Sequence, residues 1–230
     1  MTPTPVRPKR RENRIPLPAA STLLAAVLCL LQPGQPKPNL FAATGQTGTV
    51  KPAELYFCGN AASPIRIEVF SDYQCPHCRD FYLGIIKPLI KDYAETKKVY
   101  VVYHDFPLDM HPLARSAARL ALAAMRLGRE RWLRVTDALY TTQDQWAQDG
   151  KFDAVLAKVL DPAELVRLNK LASDPAIEVA LAHELTLGRS RNITSTPTYF
   201  VITETGRQQR LTQVLPYPVI KDYIDRFLKQ

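Results

Sequence analysis

Apolar and polar residues first alternate in "PIRIEVFSDY", where Ile65, Ile67 and Val69 are separated by Arg66 and Glu68 before the apolar Phe70. A period of two predicts a strand over residues 63–71. From Pro76 to about Glu95 the period changes, and Phe81, Tyr82, Ile85, Ile86, Leu89, Ile90 and Tyr93 recur at three- and four-residue steps. That spacing predicts a helix, with Pro88 bending it. A second strand is predicted in "KVYVVYHDF", followed by a helical region over about residues 112–191 that includes "LARSAARLALAAMRLG" and "ERWLRVTDALY". Inside it, Asp161-Pro162 and Asp174-Pro175 each set an N-cap acceptor before a proline suited to the first helical position. The β pattern returns in "TPTYFVITETG" and "QRLTQVLPY", joined by a turn around Gly206. "PVIKDYIDRFLKQ" closes the chain as an amphipathic helix with Val219, Ile220, Tyr223, Ile224, Phe227 and Leu228 on one side. The predicted order is βαβ, a helical insert of about 80 residues, then ββα, which reads as one α/β sheet interrupted by a helical subdomain.

Composition narrows the picture at the N-terminus. The chain has 230 residues, 46% of them hydrophobic, enough for a packed core and unlike a disordered protein. Of its net charge of +8, half comes from residues 1–15, where Arg7, Lys9, Arg10, Arg11 and Arg14 stand against Glu12 alone. The remainder is ordinary for a soluble surface, so no nucleic-acid partner is expected. The basic start leads into the uncharged run "LPAASTLLAAVLCLL", Leu17 to Leu31, the layout of an export signal. This run is shorter than the roughly 20 residues that span a bilayer, which favours a cleaved signal peptide. No clean small-x-small cleavage site comes closely after it, so an uncleaved membrane anchor stays open. Leu28 before Cys29 speaks against lipid attachment, and Arg10-Arg11 lacks the apolar residues of a twin-arginine signal. Nine of the 19 prolines fall in the first 52 residues, and residues 32–53 have neither period, so they read as a linker to a folded unit spanning 54–230. The expected location is extracytoplasmic, in a periplasm or on the outer face of the cell membrane, with membrane contact only through the N-terminal segment.

The candidate chemistry lies in "SDYQCPHCRDF", where Cys75 and Cys78 flank Pro76-His77 at the junction of the predicted strand and helix. A disulfide closing so short a loop gains little as a staple. Structural zinc needs four ligands, and Cys29, Cys58, His104, His111 and His183 show no pair spacing, so no metal is expected. Electron exchange accounts for more of the local residues. A helix N-terminus aims free N–H groups and the positive end of the dipole at the Cys75 sulfur, favouring thiolate. Pro76 suits the first turn, and His77 adds a hydrogen bond or positive charge, or is an ordinary exposed helix residue. Cys78, one turn further in, is expected to be more buried and less acidic. Cys58 is left without an assigned partner.

With "TSTPTYFV" well over a hundred residues downstream of the cysteine pair, the chain resembles the thioredoxin superfamily and, within it, the DsbA-like thiol:disulfide oxidoreductases. The shared features are strand-CPHC-helix, a helical insertion, and Thr196-Pro197 before a hairpin and final helix; "YHDFPLDMHPLARSAARLA" is also similar, and the resemblance covers about Cys58 to Gln230. It implies a thioredoxin-like mixed sheet with a helical insertion between the βαβ and ββα halves. It further implies Cys75 as nucleophile, Cys78 as its partner, and Pro197 as a cis-proline facing the pair, with Thr196 exposing backbone to an extended substrate. No cofactor beyond the redox-active disulfide is implied. The implied partners are cysteine-containing substrate proteins and a membrane redox partner that reoxidises the pair. The implied activity is oxidation of protein thiols; a reductase or isomerase using the same pair, or a non-catalytic peptide-binding or chaperone module, remain alternatives. The family often has a buried acid before the CxxC, and Glu68 is the candidate proton relay here, although its spacing differs and it also reads as a strand carboxylate balanced by Arg66. Ser195 departs from the glycine that often precedes Thr-Pro.

Overall fold

The computed structural model describes residues 57–229. The export segment at 17–31, the linker at 32–53 and the start of the folded unit at Glu54 lie outside the described residues. Among the described residues no helix is long and apolar enough to cross a membrane.

The described strands form one five-stranded sheet in the order β1-β3-β2-β4-β5. β2 (Ile65–Ser71) lies at its centre, parallel to β3 (Val99–Asp105) and antiparallel to β4 (Thr198–Thr203). β1 (Phe57–Cys58) and β5 (Gln208–Leu211) pair antiparallel at the two edges. The sequence pattern does not predict β1, because two residues carry no period. The chain turns out of it at Gly59, whose φ of 99° excludes ordinary side chains and whose added Cβ would lie 2.2 Å from the Val99 carbonyl oxygen.

All of β2 except Arg66 is buried, Glu68 included. Helices cover both faces. Residues paired across strands share a face, so Ile67, Val69 and Ser71 lie with Tyr103 and Tyr199, whereas Glu68 and Phe70 lie with His104 and Phe200. The first face is covered by α1 (Pro76–Phe81), whose Phe81 ring packs on Tyr199 at 4.7 Å. This helix continues through π-helical turns at Tyr82–Ile86 and Ile90–Ala94 on either side of α2 (Lys87–Leu89). Pro88, which has no N–H to give, sits in α2 where the wider turns on both sides accommodate it.

The helical insert comprises α3 (Ala114–Arg126), α4 (Arg129–Thr141), α5 (Gln143–Asp149), α6 (Phe152–Leu156), α7 (Pro162–Ala172) and α8 (Pro175–Ser190). Both predicted starts are present. Asp161 caps α7 in a capping box with Glu164, and Asp174 caps α8 by accepting from the Ala176 N–H. α8 closes the second sheet face, and Gly188 lets it approach so near that an added Cβ would meet the Phe106 ring at 2.4 Å. The chain ends with α9 (Tyr217–Phe227). Its fully buried stripe is narrower than predicted: Ile220 and Ile224 are inside, whereas Val219 is 51% exposed.

Candidate active site

β2 delivers the chain to the site, and a turn built on Asp72 sets the position of Cys75. The Asp72 carboxylate is buried and accepts from the backbone N–H of Gln74 at 2.7 Å, the N–H of Leu108 at 2.8 Å and His111 Nδ1 at 2.7 Å. Its own N–H points to Cys78 Sγ at 3.4 Å. From the insert, Gln143 donates its buried amide to the carbonyls of Tyr73 at 2.7 Å and Cys75 at 3.0 Å. Gln74 ties the same turn to the Leu113 N–H and the Ala147 carbonyl. Sequence reasoning missed Asp72 and Gln143. An aspartate just past a strand end is a turn signal that was available, whereas nothing local marks Gln143.

Cys75 is the N-cap of α1, with extended backbone, and Pro76 opens the helix. The N–H groups of Cys78 and Arg79 bond to its carbonyl. Cys75 is 6% exposed and its thiol faces the Thr196 carbonyl at 3.5 Å; Cys78 is fully buried, and both are free thiols. A hydrogen bond from the Cys78 thiol is the main force lowering the Cys75 pKa. It outweighs burial and, with the N–H groups of Cys78 and His77 and the Thr196 hydroxyl, brings the value to about 6. Burial and the adjacent Cys75 sulfur push Cys78 well up instead. One sulfur is thus set to carry charge at neutral pH and the other to hold a proton.

Thr196-Pro197 is a cis bond, and both residues are buried beside the pair. The Thr196 hydroxyl has no ordinary hydrogen-bond partner among the described residues and lies close enough to favour thiolate at both cysteines. His77 is brought to the site through its backbone; its side chain is exposed. Glu68 is not brought there. It lies on the sheet face away from α1, where His104 Nε2 approaches at 3.3 Å, Arg191 pairs with it closely and Arg66 lies at 3.5 Å. Burial raises its pKa, but His104 and the charges of Arg66 and Arg191 overcome that and hold it at about 2. A carboxylate so firmly ionised and so placed does not fit the relay considered for it. Among the described residues the strand acid buried on the CxxC face is Asp105 at the end of β3, paired with Ser71 in the ladder, with neither oxygen hydrogen-bonded to them and its pKa pushed well up by burial. Cys58 is buried in β1 as a free thiol.

A mixed sheet carrying a dithiol at the start of the helix that follows its central strand, with a cis-proline loop against the sulfurs, defines the class as a thioredoxin-fold protein. The family model described as thioredoxin matches residues 52–213, and the chain belongs to that family. The fold is that of DsbA proteins. The crystal structure of Wolbachia pipientis alpha-DsbA1 aligns with a TM-score of 0.63 at 19% identity, covering 75% of this chain and 89% of that one. Pseudomonas aeruginosa DsbA2 aligns at 0.59 with 26% identity over 76% of this chain and 95% of that one. Among curated proteins, a Rickettsia typhi relative whose name designates a protein-disulfide oxidoreductase is 25% identical over 148 residues, 62% of this chain and 53% of its own length. The chain thus spans about half the length of the curated relatives it matches.

Proposed function

We propose that this protein is a thiol:disulfide oxidoreductase acting as an oxidase, which passes the disulfide between Cys75 and Cys78 to pairs of thiols in substrate proteins. A substrate thiolate attacks Cys75 Sγ, Cys78 departs with the electron pair, and a second substrate cysteine resolves the mixed disulfide, releasing Cys75 as thiolate. The observation that carries this reading is the asymmetry of the pair, with Cys75 at about 6 and Cys78 well above the usual thiol range. A stable Cys75 thiolate is a good leaving group and favours the reduced form, which makes the disulfide oxidising. Pro76 and His77 belong to this turn, and Thr196 and Pro197 are the surface on which an extended substrate lies. Export through residues 17–31, an extracytoplasmic location and reoxidation by a membrane redox partner complete the reading.

The test is equilibration of the cysteine pair against glutathione. The expected potential lies nearer the roughly −120 mV of a strong oxidant than the roughly −270 mV of thioredoxin. A value at the thioredoxin end would assign the same residues to a reductase. Unchanged activity in a Cys75→Ser variant would leave only a peptide-binding module.

A further inference from the structure

The last residue of α8 is Ser190, and only the stretch "RNITS" separates it from Thr196-Pro197. So short a link passes the position of the helix end on to the loop that faces Cys75. Its own backbone closes the helix. The Arg191 N–H bonds to the Leu187 and Gly188 carbonyls, that of Asn192 to Arg189 at 2.9 Å, and that of Ile193 to Gly188 at 3.0 Å. Asn192 takes the left-handed region at φ 55°, which asparagine tolerates better than most residues. Ile193 is buried beyond it, and the Thr198 hydroxyl donates to the Ser195 carbonyl at 2.7 Å. The loop then presents the Thr196 carbonyl 3.5 Å from Cys75 Sγ.

Two arginines grip this link from the sheet. Glu68, Phe200 and Arg210 are ladder partners across β2, β4 and β5 and so share one face. The Arg191 guanidinium lies over the Phe200 ring at 4.0 Å, pairs with Glu68 on one side and donates to Gln208 Oε1 at 3.1 Å on the other. Arg210 donates to the Asn192 carbonyl at 2.9 Å. The first two residues of the link are therefore each tied to the sheet by an arginine. One of the tied strands is β2, which runs directly into the turn that carries Cys75.

We propose that Arg191 and Arg210 are positioning residues that fix the Thr196 backbone relative to Cys75 and so select an extended peptide chain over a small dithiol as substrate. This rests on the exchange reading above and on the place given there to Thr196 and Pro197. An extended peptide gains from the loop only where its backbone groups meet a strand edge held in register, whereas a small dithiol needs only to reach the sulfur. A loosened link must be ordered again each time a peptide binds, which weakens peptide capture and leaves the chemistry at the sulfurs as it was.

The experiment mixes oxidised protein at pH 7 with either an unstructured peptide carrying two cysteines or dithiothreitol, and reads the second-order rate constant of reduction for each. Arg191→Ala is expected to lower the peptide constant roughly tenfold and Arg210→Ala roughly threefold, in keeping with a partly buried and an exposed charged contact. The dithiothreitol constant should stay within about twofold of native in both. Arg210→Lys keeps a donor for the Asn192 carbonyl and should recover most of the peptide rate. Because Arg210 is exposed, its variants report on the clamp whether or not Arg191→Ala folds. Equal slowing of both reductants would mark a general packing role and overturn the clamp, as would folded variants that react with the peptide as fast as native protein. A native disulfide that the peptide does not open would overturn the exchange reading and the clamp together.

Discussion

At the scale of single residues, the decisive difference is between two cysteines three positions apart in one helix turn. Cys75 caps the helix and gathers donors; Cys78 lies inside and is desolvated. Alkylation of Cys75 is therefore expected to rise with a midpoint near pH 6, and a midpoint near the ordinary thiol value of 9 would contradict the site as described. The same shift links stability to pH. The folded value lies below the unfolded one, so the thiolate's contribution to the reduced protein is complete above pH 9 and is lost as pH falls through 6. The melting temperature of the reduced protein relative to the oxidised one should drop as pH is lowered across that window. The cysteines, Pro76 and Thr196-Pro197 are legible in the sequence because their roles depend on neighbours within a few positions or on a short motif. Glu68 is not legible in this way. Which face it points to, and that His104 and Arg191 await it there, depends on chain more than thirty and more than a hundred residues away.

Between elements, the buried charges that hold β2, β3 and α8 together form one cluster. His104 donates to Glu184 at 2.6 Å and to Glu68 at 3.3 Å, and its ring stacks on Phe70. Arg191 adds its charge to Glu68 and lies over the Phe200 ring at 4.0 Å. Burial lowers the His104 pKa, but the two carboxylates overcome it and raise it to about 9. Its contribution is therefore whole below its unfolded value of 6.5 and lost as pH rises through 9. Glu68, held at about 2, contributes fully above 4.5 and loses this as pH falls toward 2. Stability from the cluster should peak between about pH 4.5 and 6.5. Replacing His104 by Gln leaves two buried carboxylates without their shared cation and should cost about 3 kcal/mol in urea unfolding at pH 6, with the loss shrinking above pH 9. Element starts at Asp161 and Asp174 are legible because capping is local. β1 and the π-helical turns are not, since one is too short for a period and the other depends on how the helix is packed.

Across the molecule, the insert is part of the site as well as a cover for the sheet. α4 supplies Tyr140, whose hydroxyl lies 2.9 Å from Ser71 Oγ, and Gln143 at the start of α5 clamps the turn leading to Cys75. Gln143→Ala removes the side-chain donor that reaches the Tyr73 and Cys75 carbonyls, at a cost of about 1–3 kcal/mol. The loss should appear in hydrogen exchange as faster exchange of the amides around residues 73–78, and unchanged protection there would show that the insert does not hold the loop. By itself the sequence determined the order of the larger elements, the helical insertion and the cysteine pair with its Thr-Pro partner, because periodicity, capping and turn chemistry act over a few residues. Only the tertiary structure decided that β2 is buried on both faces, that Glu68 belongs to a charge cluster away from the cysteines, and that Ser71, Tyr140 and Gln143 meet the active turn. Those facts depend on burial and on contacts between distant segments, which no local pattern encodes.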